Sequence, residues 1–465
     1  MEPTREDLLA VIDRQRLEIE RLQARVAELT RALEEALRRG KRQAAPFAKQ
    51  PPKSDPKTPG RKSGEQHGTH GHRPPLADDQ IDEYLDAPLP AACPQCGGGV
   101  VETHQDTQDQ VELPAEPLRR RFHIHCGHCR QCGQHLRGRH AHQTSDATGA
   151  AASQVGPQAQ ALVVYLNKHA GLSHGKAADV LTHLGIPLTR GASAQIALRA
   201  GRRLQPTYDA LLTALPEQGH LTPDETGWRV GGHAAWLHAW VGADLTVFAI
   251  DPQRSADPLA RVIGWDWDGD LTHDGAPSYD RFVFARHQQC VFHVLHRAHD
   301  LEDVQTGRAK VFPRQVITLF QGALQVRDQY LAGTLAEAGL QAAHSQYVEA
   351  LFALAERPRS NAANDRLGRH LYHYGEQWLT FLEDPSIPAT NHRAEQALKV
   401  PLVNRKVWGG NRTQAGAQAQ SVLQSVLATC QQQAVSFLHF LSDCLCGIPR
   451  ALLGSATPEP VMAGR

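Results

Sequence analysis

No run of 18 apolar residues occurs in the 465-residue chain, which argues against a conventional membrane-spanning helix. The chain has no net charge either: Lys+Arg and Asp+Glu are both 49. Overall charge therefore neither favours nor disfavours a polyanionic partner, and the position of the charges must decide. The charged N-terminal stretch lacks an apolar core, so no secretory leader is expected. Of the nine cysteines, five fall between 93 and 132, which is unlike a secreted disulfide framework. These absences point to a cytosolic protein with a metal-binding knuckle. At 41% hydrophobic residues, the chain can build a sizeable core, and its length allows about three domains.

The first strong pattern is a heptad repeat over 6–38, within a coiled-coil segment placed at 1–39. Ile12, Ile19, Val26 and Leu33 occupy a positions, and Leu8, Gln15, Leu22, Leu29 and Ala36 occupy d. β-Branched a residues with Leu at d favour a parallel two-stranded coil, and Gln15 would fix its register. A homodimer or higher oligomer is expected. Residues 40–88 then read as a basic linker rich in Lys, Arg, Pro and Gly, unable to bury a core. Such a linker is either plain solvated chain or a contact for phosphate backbones.

Residues 89–140 carry the cysteine cluster: Cys93-Pro-Gln-Cys96-Gly, then Cys126-Gly-His-Cys129-Arg-Gln-Cys132-Gly. Structural zinc takes four thiolate or imidazole ligands. Cys93, Cys96, Cys129 and Cys132 supply them, because both pairs end in CxxCG. Cys126/Cys129 is the alternative second pair. Four closed ligands leave no open coordination position, so the zinc (Zn2+) is structural and the module is zinc-ribbon-like. Arg119, Arg120, Arg121, Arg130, Arg137 and Arg139 surround it.

Residues 155–216 are helical, with a Gly185-Ile186-Pro187-Leu188 turn between two helices. This resembles a helix-turn-helix, with Arg190, Arg199, Arg202 and Arg203 as candidate DNA-binding residues; a plain helical connector is equally compatible. From 217 the pattern changes. Leu221–Val230 is extended, Gly231-Gly232 is a hairpin turn, and Ala234–Val241 and Leu245–Ile250 follow as strands. A helix near 255–264 leads to a strand ending at His273-Asp274-Gly275. This order, with Asp224 on the first strand and Asp274 after the fourth, resembles the ribonuclease-H-like fold of DDE transposases. That fold takes a third acid on a later helix, and Glu395 supplies it.

The whole set of blocks resembles the insertion-sequence-66 family of transposases. The carriers are the zipper, the zinc knuckles, Asp224-Glu225-Thr226-Gly227-Trp228, Asp274-Gly275 with Tyr279, Cys290-Val-Phe-His293 with Arg297, Asn391 with Glu395, and Arg405-Lys406. The sequence departs from the family pattern at Asn391-His392, at Gln396 and in the spacing from Asp274 to Tyr279. The resemblance implies Asp224, Asp274 and Glu395 as catalytic acids and ligands of Mg2+ (or Mn2+). It implies DNA, as transposon ends and target, as substrate. It also implies a bacterial, cytoplasmic and nucleoid-associated setting, with small accessory proteins of the same element as further partners and no membrane.

The chemistry suits acids. Two hard ions roughly 3.5–4 Å apart stabilise both the attacking and the leaving oxygen of an in-line phosphodiester displacement, and hard ions prefer carboxylate oxygen. Glu225 is expected to point away from Asp224, since side chains alternate along a strand. Asp266, Asp268 and Asp270 read as a polar turn.

The fold class expected is multidomain α+β. The ribonuclease-H-like α/β core (217–286 and 385–430) is interrupted by a helical insertion at 287–384, because the gap from Asp274 to Glu395 is too long for a plain loop. A helical tail follows at 431–465. Cys290 and His293 alone do not make a metal site. Arg405, Lys406 and Arg412 are candidates to grip phosphates or are ordinary surface charge. Two rival functions share the same residues: a catalytically inactive zinc-containing DNA binder, and a ribonuclease-H-like nuclease without joining activity.

Overall fold

The structure is a computed structural model. It describes residues 155–452 without a break, residues 116–143 and 146, and short pieces at 77–82, 84, 88–90, 92 and 95–99, with residue 21. The heptad positions, most of the basic linker and Cys93 lie outside the described residues. The chain divides into two compact units, one spanning Ala48–Arg119 and the other holding the remainder.

In the larger unit a small hairpin comes first, β1 (Cys126–His128) against β2 (His135–Arg137), antiparallel and exposed. Four helices follow: α1 (Pro157–Lys168), α2 (His174–His183), α3 (Arg190–Arg203) and α4 (Gln205–Ala214). Their starts follow from local chemistry. The Ser173 and Thr189 side chains accept the Lys176 and Ala192 N–H groups at the N-termini of α2 and α3, and Pro157 opens α1.

The central sheet has five strands in the order β5-β4-β3-β6-β7: β3 (His220–Val230), β4 (His233–Val241), β5 (Thr246–Asp251), β6 (Asp270–His273) and β7 (Arg286–Gln289). β3, β4 and β5 are antiparallel, whereas β6 and β7 run parallel to β3. Gly231 and Gly232, both with positive φ (60° and 89°), close the β3–β4 hairpin, a backbone conformation that favours glycine. Helix α5 (Asp257–Ile263) makes the crossover to β6. The sequence pattern placed β3 to β6 and α5 within a few residues of these bounds. It missed β7, which falls at the start of the segment read as helical insertion.

Side-chain alternation on β3 separates two faces. Leu221 belongs to a core with Trp240, Val247 and Leu271 of the sheet and with residues of α1, α3 and α4. Helices 155–216 thus share the core of the sheet. Trp228 and Val230 face the other way, packing with Leu237, Ala239 and Phe248 and with Leu398 and Ala417 of two later helices. Those helices are α11 (His392–Trp408) and α12 (Gln414–Gln432). Ser425 and Thr429 on α12 exchange hydrogen bonds with the β5 backbone at Phe248 and Thr246. The helix α13 (Phe437–Cys446) follows.

Between β7 and α11 lie α6 (Val291–Val304), α7 (Val311–Leu331), α8 (Glu337–Ala355), α9 (Ala362–Tyr374) and the short α10 (Thr380–Glu383). They build a separate apolar cluster around Val294, Phe320, Leu351 and Leu371. These helices fall within 287–384, the segment expected to be a helical insertion. Among the described residues no helix is long and apolar enough to cross a membrane.

Candidate catalytic centre

Asp224 sits in the middle of β3, where two-residue alternation puts it on the face of Trp228. That face is covered by α11, because Leu398 packs in the cluster of Trp228. Glu395 is one turn before Leu398, in the first turn of α11, with its N–H bonded to Asn391 O. Asp274 directly follows β6, the strand paired parallel to β3, and its Oδ1 accepts the Ala276 N–H at 3.0 Å. The three acids therefore project from two adjacent strands and the helix laid across one of them.

Their electrostatics are coupled. Burial first, and then the negative charge of Asp274, with smaller contributions from Glu225 and Glu395, push the Asp224 carboxyl up to about 7, against a hydrogen bond from the Glu225 N–H that favours ionisation. Glu225 turns to the opposite face. There its carboxylate pairs with Arg254 at 3.1 Å and accepts the Tyr279 hydroxyl at 3.2 Å. Tyr279 is fully buried; burial and the surrounding carboxylates hold its phenol well above the usual range, so it remains a donor.

A second polar layer lies under Asp274. The buried His273 has Nδ1 facing the Gly275 N–H at 3.2 Å and Nε2 facing His287 Nδ1 at 3.0 Å, and His287 Nε2 faces Phe282 O at 2.9 Å. These contacts assign the mobile proton to Nε2 on both rings. Burial, with help from His287, pushes His273 down to about 3, so it is neutral. The turn that carries Asp274 is thus fixed by neutral hydrogen bonds.

The Cys290/His293 pair flanks the third acid. Cys290 Sγ accepts the Asn391 N–H at 3.4 Å, and His293 Nε2 stands 3.6 Å from Glu395 Oε1. The sequence flagged this pair without a role; its CxxH spacing, with Asn391 shortly before Glu395, was the available signal. Burial raises the Cys290 thiol, so it behaves as a packing and accepting group. His293 Nδ1 and both Asn391 amide atoms are buried with no hydrogen-bond partner among the described residues.

Asp224, Asp274 and Glu395 offer oxygen donors, which suit a hard divalent ion, and the carboxylate charges that add to burial in raising Asp224 are ones a cation would relieve. Among the described residues, no three His, Cys, Asp or Glu side chains already stand at metal-ligating spacing. The acids form an open set.

The candidate DNA-binding residues separate into two kinds. Arg190, Arg199 and Arg202 on α3, and Lys406 and Arg412 around the end of α11, are exposed. Arg203, which is also exposed, and the half-buried Arg405 are instead tied to backbone carbonyls. Arg203 Nε donates to Cys444 O at 2.6 Å, and Arg405 donates to Gly227 O on β3. After α11, Gly409 takes the left-handed conformation and Asn411 bridges to the β3 end, accepting the Trp228 indole N–H.

At the second cysteine pair, Gly133 (φ 71°) follows Cys132, and its N–H bonds to Cys129 O at 2.9 Å. Backbone N–H groups of Cys132 and Gln131, with the Cys132 thiol, lower the Cys129 pKa. Donors aimed at sulfur are what a thiolate ligand needs. In the other unit, Gly97 after Cys96 has φ 73°, matching Gly133.

A mixed sheet with acids on one strand, after the next and in the first turn of a covering helix, with further helices between β7 and α11, is consistent with the core of a transposase. A family model described as Transposase IS66 family matches residues 152–419, more than half of the chain. The chain belongs to that family. Over 79 residues it is also 30% identical to the "Uncharacterized protein y4jO" of Sinorhizobium fredii (strain NBRC 101917 / NGR234), a stretch covering 17% of this chain and 25% of that protein. The chain therefore spans about a quarter of the length of this curated relative.

Proposed function

We propose that this chain is an insertion-sequence transposase that binds transposon ends and cleaves and joins DNA strands through Asp224, Asp274 and Glu395, on a ribonuclease-H-like core. The observation that carries the reading is placement: Asp224 on β3, Asp274 directly after the paired strand β6 and Glu395 on the helix that covers the Asp224 face, with burial and then the neighbouring carboxylates raising the Asp224 carboxyl. Acids remote in sequence raise one another only when the fold gathers them, and such gathering is typical of functional sites.

The three carboxylates would hold Mg2+ or Mn2+; when bound, two such ions supply charge stabilisation for the attacking and leaving oxygens. The protein's own groups do the positioning. Arg254 and Tyr279 anchor Glu225 on the far face of β3, so strand alternation keeps Asp224 turned toward α11. His273 and His287 hold the Asp274 turn, and His293 stands beside Glu395. The exposed Arg190, Arg199, Arg202, Lys406 and Arg412 would meet phosphates, which position DNA without reading its sequence. Structural zinc at the CxxCG knuckles, assembly through the heptad segment, and small accessory proteins complete the proposal.

The test is Asp274→Asn assayed with labelled transposon-end DNA. Cleavage should fall by at least about 10²-fold with DNA binding unchanged; cleavage at the wild-type rate would overturn the reading. Binding without cleavage by the wild type in Mg2+ or Mn2+ would favour an inactive DNA binder. Cleavage without joining would favour a hydrolase.

A further inference from the structure

An open cleft of about 570 Å³ lies beside the turn that carries Asp274. Gly275 and Pro277 of that turn form one side, with Asp280. The opposite side comes from the helical insertion: Arg297 on α6, and Arg366, Arg369, His370, His373 and Tyr374 on α9. The α9 residues recur at i, i+3, i+4, i+7 and i+8, the spacing of a single helical stripe. Its core-facing neighbours Leu367 and Leu371 are buried in the insertion cluster, so the stripe is held in place by packing.

The cleft is electropositive. Three guanidinium groups line it against one carboxylate, Asp280, which accepts the Tyr374 hydroxyl at 3.2 Å. Arg369 pairs with Asp365 at 3.1 Å. Among the described residues Arg297 and Arg366 have no carboxylate partner within salt-bridge reach, and both are exposed. Gly275 lets the turn approach this wall: a Cβ there would meet Gln289 Oε1 at 3.1 Å and His370 at 3.8 Å, at a φ of +85°.

We propose that this cleft binds the sugar–phosphate backbone of DNA where the strand passes the Asp274 turn, with Arg297 and Arg366 each contacting a phosphate. The proposal rests on the transposase reading above and adds a binding surface inside the helical insertion. From Arg366 to His373 the helix rises about 10 Å, at roughly 1.5 Å per residue. That matches about three 3.4 Å steps of one DNA strand. Guanidinium forks suit phosphate oxygens, and exposed, unpaired Arg side chains are free to turn toward them. The insertion thus gives the turn that carries Asp274 a basic wall of its own.

The experiment uses the full chain and a fluorescein-labelled 30-bp DNA duplex, with affinity followed by anisotropy from 50 to 250 mM NaCl. The double variant Arg297→Gln/Arg366→Gln should bind about tenfold or more weakly at 100 mM NaCl. Its log–log salt slope should be shallower by about 2, one unit for each phosphate no longer neutralised. Arg308→Gln/Arg357→Gln removes the same charge elsewhere on the insertion and should leave both quantities near wild type. An unchanged slope in the first variant, or equal weakening in the two, overturns the proposal. Asp274→Asn in parallel separates the two readings. If it stops cleavage while the cleft variant binds normally, the cleft alone is wrong. If it cleaves normally while the cleft variant binds weakly, the catalytic assignment is wrong and the cleft stands.

Discussion

His293 Nε2 stands 3.6 Å from Glu395 Oε1, across the gap between the first turn of α6 and the first turn of α11. The distance is too long for a hydrogen bond but within ion-pair range. It joins the insertion to the helix that bears the third acid. Cys290, one turn earlier, fastens the same junction through the Asn391 N–H.

An imidazole beside a ligating carboxylate orients it, and losing such a partner costs about 10–100-fold in metal affinity or activity. His293→Ala should therefore lower strand cleavage by about that factor while DNA binding stays at the wild-type level. Parallel cleavage and anisotropy assays check it; an equal drop in both would instead indicate a folding defect.

Asp224 predicts a pH dependence. Its carboxyl is raised from 3.8 to about 7 in the fold. A group raised on folding lends stability that is complete below its unfolded value and is lost as pH climbs through the folded one. In EDTA, the wild type should therefore lose stability between about pH 4 and pH 7, on the order of 4 kcal/mol. Asp224→Asn should remove most of that loss. Denaturant melts at several pH values test this, and parallel curves for the two proteins would contradict it.

The sequence showed much of the centre's frame. β4 announced itself by period-two alternation, β3 and β5 by extended runs on either side of it with Gly231-Gly232 as the first turn, and the strand before Asp274 by its place after α5. β7 was illegible because its interior is polar: His287, Gln288 and Gln289 are buried and held by specific tertiary bonds, as when Gln288 Oε1 accepts the Phe381 N–H and Gln289 Nε2 donates to Gln377 Oε1. No hydropathy pattern marks such a strand. The roles of Arg203 and Arg405 were hidden for a similar reason. A charged side chain reads as surface, and only tertiary packing showed these two bonded to backbone carbonyls. The basic stripe of α9 lay within the segment read simply as an inserted helical domain.

Close packing of α3 against α12 gives a stability prediction. A Cβ on Gly201 would lie 2.7 Å from Ala419 Cβ and 2.9 Å from its Cα. Both helices would have to separate, so Gly201→Ala should destabilise the protein by about 1–3 kcal/mol. That outweighs the helix-propensity gain of up to about 1 kcal/mol. A thermal or denaturant melt decides it, and a stabilised variant would contradict the close approach.

Zinc content tests the cysteine assignment. Donors converge on Cys129 from the Cys132 turn, whereas Cys126 lies on exposed β1. Cys132→Ser should lower bound zinc in the purified chain severalfold, and Cys126→Ser should leave it unchanged. Elemental analysis with a thiol titration reads both; the opposite result would select the Cys126/Cys129 pair.

The central claim is that Asp224, Asp274 and Glu395 together hold hard divalent ions. Mn2+ binding to the full chain, followed by electron paramagnetic resonance, tests it most directly. The account predicts that the wild type takes up Mn2+ and that Asp224→Asn, Asp274→Asn and Glu395→Gln each weaken uptake by at least about tenfold. Wild-type uptake in all three variants would contradict it.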